Sequence, residues 1–295
     1  MVTDSAVVVK HPEGLPAALS QLQRTLVIGV LNVTPDSFSD GGAYLDPQRA
    51  IKHGLELVAQ GADIVDVGGE STRPGATAID SATELSRVID VVTALASEGI
   101  PVSIDTRRSQ VAGRALEAGA VLVNDVSGGR GDGAMWPLMA SVQVPYVLMH
   151  NRGEGASQDS LANYGDVLDE VKRELFEQVE SAIAAGVDAS RIVLDPGIGF
   201  AKRAEHNWPL VHQSALDVMA SWGFPVLLGA SRKRFLGVHE TGESRIDDSM
   251  DTRDALTVEL TRRAAKSGLW AVRVHRVEAN VAVVNSSRVA LEEAP

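Results

Sequence analysis

Residues 26–32 read Leu26-Val27-Ile28-Gly29-Val30-Leu31-Asn32, six apolar positions in a row closed by an amide. A strand with one wet face would alternate. An uninterrupted, largely branched apolar run is instead expected of a parallel strand buried on both faces. Short, mainly apolar runs recur at Ile64–Val67, Pro101–Ile104, Val121–Val123, Pro145–Met149, Ile192–Leu194, Pro225–Leu228 and Trp270–Val274. Between these runs lie stretches with helical apolar spacing, among them Pro47–Gln60, Ala82–Ser97, Arg107–Ala118, Val167–Ala185 and Thr252–Lys266. Each is followed closely by a glycine (Gly61, Gly99, Gly119, Gly186, Gly268), the residue that best turns a helix end. Pro47 after Asp46 and Thr106 before Arg107 mark helix starts. Eight strand–helix units predict an α/β fold of one domain, a (β/α)₈ TIM barrel. An open doubly wound sheet is the alternative, and it lacks the expected dinucleotide fingerprint.

The whole-chain properties fit that architecture. The 295 residues are 44% hydrophobic and 22% charged, the balance of a globular protein. No apolar run reaches the ~18–20 residues that span a bilayer, so no membrane partner is expected. Met1 to Gln23 carries no apolar stretch behind a basic cluster, and residues 1–24 are expected to be an N-terminal tail, ordered in part, before a barrel at 25–295. With no cysteine, disulfides, thiolate metal sites and a thiol nucleophile are excluded. The net charge of −12 argues against a nucleic-acid surface. An anionic substrate would need local cations working against that field.

Such cations stand where this fold puts its chemistry, at the C-terminal ends of the strands. Those ends read Asn32, Gly68-Gly69-Glu70, Asp105, Asn124-Asp125, His150, Asp195, Ser231-Arg232-Lys233 and Arg273-Val274-His275. Arg273 and His275 are two apart, so they share a strand face, and loops after the last two strands often bind phosphate. Asp105, Asn124 and Asp195 converge from three strands, and carboxylates beside an amide suit a flat heterocycle bearing ring N–H and NH₂ donors. Asn124 is expected to face the barrel interior and Asp125 to bond behind the strand. Two glycine-rich loops, Asn32–Gly42 and Gly68–Gly75, have the composition of mobile covers over a ligand. The histidines form no close zinc-type pair, so the expected metal is Mg²⁺ held mainly by phosphate and water.

These segments also carry a resemblance. GVLNVTPDSFSDGG (29–42), DVGGESTRPGA (66–76), SIDT (103–106), VNDVSGG (123–129), LDPGIGF (194–200), GASRKRF (229–235) and RVH (273–275) resemble the dihydropteroate synthase family, in the family's order. The resemblance implies condensation of 6-hydroxymethyl-7,8-dihydropterin diphosphate with p-aminobenzoate, giving 7,8-dihydropteroate and pyrophosphate. It implies Asp105, Asn124, Asp195 and Lys233 as pterin holders, Thr72, Arg273 and His275 as diphosphate contacts, and Asn32 as the Mg²⁺ ligand. Phe38, Ser71, Pro74 and Phe200 would wall the p-aminobenzoate pocket that sulfonamides also enter, with Asp40 and Arg73 pairing to order the loops. Arg234 stands where many relatives carry a small hydroxyl residue, which bears on the p-aminobenzoate carboxylate site. The resemblance further implies a cytoplasmic homodimer, joined through the last helices where Leu256, Leu260 and Ala264 repeat. That stripe would equally arise from packing on the barrel. The competing readings are a pterin-dependent methyltransferase barrel and an inactive pterin-binding paralogue. Arg273 and His275 are expected to act on the diphosphate separately from the pterin holders.

Overall fold

The computed structural model describes residues 9–34, 47–71, 78–153 and 160–292. Eight parallel strands form one sheet: β1 Leu26–Asn32, β2 Ile64–Gly68, β3 Val102–Asp105, β4 Leu122–Asp125, β5 Tyr146–Met149, β6 Ile192–Asp195, β7 Leu227–Leu228 and β8 Ala271–Val274. Hydrogen-bonded neighbours run β6-β5-β4-β3-β2-β1-β8-β7. A single parallel bridge between Leu194 and Val226, with Leu194 N–H donating to the Pro225 carbonyl at 2.9 Å, joins the two ends. The sheet is thereby a closed barrel. Between the strands lie α1 Ala17–Ser20, α2 Pro47–Ala59, α3 Ser81–Ser97, α4 Ser109–Glu117, α5 Met135–Ser141, α6 Val167–Ala184, α7 Ala204–Leu210, α8 Gln213–Ala220, α9 Met250–Lys266 and α10 Val277–Glu292.

Burial on two faces produces two cores. Outward-facing Val27, Leu31, Val65, Val67, Ile104, Leu148, Leu194 and Val272 join the large core shared with the helices. Inward-facing Leu26, Ile28, Ile64, Leu122, Val147, Val193, Leu227 and Ala271 fill the lower barrel. Each buried aliphatic side chain stabilises by about 1.5–3 kcal/mol, so neither face tolerates a phase error. Two residues further along the same inner face the chemistry changes: Ile64 gives way to Asp66, Leu122 to Asn124, Val193 to Asp195 and Ala271 to Arg273. The barrel is apolar below and charged above.

Two boundaries differ from the sequence reading. Residues 9–24 are not a tail. Val9 and Leu19, 6% and 5% exposed, belong to the inner core, and Glu13 N–H donates to Ser190 O at 2.9 Å. The segment covers the barrel's N-terminal end, where Leu26 and Leu122 would otherwise meet water. Thr106 does not cap a helix from 107. Its hydroxyl accepts from Arg108 N–H, and α4 starts at Ser109, whose N–H donates to Asp132 Oδ2 at 2.8 Å. The Leu256, Leu260 and Ala264 stripe of α9 packs inward, with Leu260 3% and Ala264 0% exposed, so barrel packing accounts for it.

Candidate active site

Asp66 is the hub of the charged upper layer. At 1% exposure, its Oδ2 accepts from Arg273 Nε at 2.5 Å and from Asn124 Nδ2 at 3.1 Å. Arg273 Nη2 reaches on to Asp105 Oδ2 at 2.6 Å. One guanidinium thus bridges carboxylates of β2 and β3 from β8. Burial pushes the Asp105 carboxyl up to about 7 even though Arg273 pulls it the other way. Arg273, an expected diphosphate contact, is hydrogen-bonded directly to Asp105, an expected pterin holder. Arg273 is built into the carboxylate layer, because two acids this deep require a cation.

Asp195, 6% exposed, faces this group from β6, and its Oδ1 accepts from Gly197 N–H at 2.7 Å. Burial raises its pKa, while the Gly197 amide and Lys233 act against the rise. Lys233 Nζ sits 4.0 Å from the centre of the Phe200 ring, and Phe200 is 8% exposed. Burial and the neighbouring Arg273 bring the Lys233 ammonium down to about 8. The side chain is aimed by its predecessor: Arg232 takes a left-handed φ of 59° and grips Asp254 of α9 through two 2.8 Å bonds. A non-glycine residue persists in that region only when its surroundings hold it there.

His275 is a neutral donor. Its main-chain N–H donates to Ser231 Oγ at 3.2 Å, and its ring Nδ1 lies 3.0 Å from the same oxygen. The hydroxyl proton can then go to Nδ1, which leaves Nε2 carrying the ring proton. Burial, followed by Arg273, pushes its pKa down to about 3, so it offers an N–H rather than a charge.

The remaining expected residues fall out as follows. Asn32, half-buried, ends β1 in register with Gly68. Its amide oxygen is a hard donor, which suits a Mg²⁺ ion that keeps most of its shell for phosphate and water. Among the described residues no three acidic or histidine side chains gather as a metal cage. Ser71 is half-buried and Arg234 is exposed at the start of the 3₁₀ turn Arg234–Gly237. Phe38, Asp40, Thr72, Arg73 and Pro74 lie outside the described residues. Glu70 ties the two described ends of the second loop: it accepts from Arg108 Nη1 at 2.9 Å and from Ile79 N–H at 3.1 Å. Asp125 bonds behind the strand to Ser127, Gly129 and the Tyr146 hydroxyl. His150 is not on the mouth, since its ring lies against Glu174 of α6. Sequence reasoning missed Asp66, a lone carboxylate inside an apolar strand, and that isolation was the available signal.

A closed parallel barrel with an inward layer of acids, an amide and cations defines an enzyme that holds a polar heterocycle beside an anion. A family described as pterin binding enzyme matches residues 28–275. The chain is 55% identical over 256 residues to the dihydropteroate synthase of Mycobacterium leprae, covering 86% of this chain and 89% of that protein. Among solved structures it is similar to Xanthomonas albilineans dihydropteroate synthase with 4-aminobenzoic acid, at TM-score 0.81 and 40% identity over 92% and 94% of the two chains. It is also similar to the Yersinia pestis dihydropteroate synthase in a sulfonamide drug complex, at TM-score 0.84 and 32% identity over 97% and 100%. This chain belongs to the dihydropteroate synthase family of pterin-binding enzymes. No helix among the described residues is long and apolar enough to cross a membrane.

Proposed function

We propose that this chain condenses 6-hydroxymethyl-7,8-dihydropterin diphosphate with p-aminobenzoate. The observation that carries this is the layer in which Asp66, Asp105, Asn124 and Asp195 face Arg273 and Lys233 above an apolar floor. Asp195 and Asn124 offer acceptors and a donor to the ring edges, and Lys233 donates to a ring acceptor. Arg273 and the Nε2–H of His275 meet the diphosphate as negative charge gathers on it. The methylene C–O bond breaks, the amine nitrogen bonds to that carbon, and the amine gives up a proton. Donors fixed in advance at a developing charge contribute ~10²–10³ in rate each, so no nucleophilic side chain is required.

Mg²⁺ belongs to this reading: bound by Asn32 and phosphate oxygens, it would neutralise the departing pyrophosphate. Phe200 and Ser71 border the p-aminobenzoate side, with Phe38 and Pro74 completing its walls, Asp40 pairing with Arg73, and Thr72 joining Arg273 and His275 at the diphosphate. Exposed Arg234 is near enough in sequence to Lys233 to meet the p-aminobenzoate carboxylate. The relatives solved with 4-aminobenzoic acid and with a sulfonamide support such a pocket here. A homodimer working in the cytoplasm completes the reading. Light scattering should give about twice 31.2 kDa, and a 31.2 kDa particle at micromolar concentration would remove the dimer. The decisive assay combines the protein, both substrates and Mg²⁺: pyrophosphate should appear only when p-aminobenzoate is present, and chelation should stop it.

A further inference from the structure

Met149 pairs in register with Asp195, so alternation turns the next residue, His150, outward into the shell beside α6. Its side chain is 0% exposed and its residue is held at three atoms. The main-chain N–H donates to the Asp195 carbonyl at 2.9 Å. Nε2 lies 3.0 Å from Glu174 Oε2, and Nδ1 lies 2.8 Å from Lys202 Nζ. An ammonium can only donate and a carboxylate can only accept, so Nδ1 is the acceptor and Nε2 carries the proton. Both neighbours dictate one neutral tautomer. Burial, then the Lys202 charge, pushes the imidazole down to about 4, which keeps it in that form.

Lys202 is 6% exposed and sits at a barrel loop rather than on the surface. Its other donors go to the carbonyls of Gly197 at 3.1 Å and Phe200 at 3.2 Å. Gly197 is the residue whose N–H holds the Asp195 carboxylate. A Cβ at Gly197 would lie 1.9 Å from the His150 carbonyl oxygen, so the turn is pressed against His150 with no space left. Ala201, between Phe200 and Lys202, takes a left-handed φ of 47°, and its carbonyl accepts from the Tyr164 hydroxyl at 3.1 Å. An apolar residue at 202 would strand two buried acceptors, His150 Nδ1 and the Phe200 carbonyl, and would leave the Gly197 carbonyl with the Phe200 N–H alone.

We propose that Lys202 is a positioning residue for the transfer reaction: bonded to His150 and to the carbonyls of Gly197 and Phe200, it holds the turn that aims Asp195 at the pterin and Phe200 at the adjoining pocket. Lys202 touches no substrate. The proposal rests on Asp195 being the pterin acceptor. Calorimetry well below the melting temperature, with 6-hydroxymethyl-7,8-dihydropterin as probe, tests both. Lys202→Met should weaken pterin binding about tenfold, equivalent to the loss of one or two buried hydrogen bonds, with a full complement of sites per folded chain. The KM for the pterin diphosphate should rise with it while kcat changes less, a split that lowered stability alone would not give. Should Lys202→Met fail to fold, a second pair decides. His150→Asn keeps an acceptor near the Nδ1 position and should retain affinity within about threefold, whereas His150→Leu should lose about tenfold. Unchanged affinity in a folded Lys202→Met or His150→Leu protein overturns the proposal. Wild-type protein that does not bind the pterin, or Asp195→Ala protein that binds it normally, overturns the assignment of Asp195 instead.

Discussion

Asp66 sets the position of two other side chains with one oxygen, and it does so without reaching solvent. Replacing it with Ala strands the Arg273 Nε and the Asn124 amide, and it leaves Arg273 with Asp105 as its one acidic hydrogen-bond partner among the described residues. Breaking a buried pair of this kind costs ~3–5 kcal/mol. Urea unfolding of Asp66→Ala should register that loss, and a change below about 1 kcal/mol would mean that the pair contributes little. Asp105 makes a different prediction through pH. Burial pushes its carboxyl up to about 7 in the folded chain, against 3.8 for an unburied aspartate. Between those values the unfolded chain has released the proton and the folded chain has not. Folded stability therefore falls as pH rises from about 4 to about 7. Measured against Asp105→Asn, which cannot titrate, the wild-type advantage should shrink over that interval and then level. A widening advantage would contradict the raised pKa. The inward placement of Asp105, Asn124 and Asp195 was legible in the sequence because each closes an apolar run at a readable phase, whereas Lys233 lies five residues beyond β7. Asp66 was hidden because its strand was read for average apolarity rather than phase. The partners of Arg273 were hidden because they lie 207 and 168 residues away in the chain.

At the level of elements, the eight strands were readable almost to their ends, because burial on both faces leaves a signature that no loop imitates. The helix ends were readable too, with Gly61 and Gly119 at φ 98° and 107° where a left-handed residue was expected. The first 24 residues gave no such signal. Helix α1 is four residues long, too short to display a period, and its burial depends on the distant barrel floor it covers. Leu19→Ser should cost about 2–3 kcal/mol of stability while kcat and KM stay near wild type, since Leu19 lies at the end opposite the charged layer. Thermal unfolding and steady-state kinetics on one preparation check this. A changed KM with an unchanged melting temperature would show that the floor communicates with the mouth.

For the whole molecule, the −12 charge and the two cations of the site, Arg273 and Lys233, pull in opposite directions on an anionic substrate. The field outside is repulsive, and the attraction begins only within reach of Arg273 and Lys233. A sulfonamide should then behave as p-aminobenzoate does and not as the diphosphate does. Inhibition kinetics should be competitive against p-aminobenzoate and not against the pterin diphosphate. Competition with the diphosphate alone would remove the pocket bordered by Phe200 from the scheme.

A barrel is a hoop, and this one is fastened unevenly. Seven of its joints are ladders, while the eighth is one bridge from Leu194 to Val226, beside a strand of only two residues. The turns bearing Asp195, Phe200 and Lys233 spring from the two staves on either side of that joint. Sparse main-chain bonding lowers the free energy of local opening. The hoop therefore gives most readily at the clasp, and a ligand held by Asp195 on one side of it and Lys233 on the other would draw it shut.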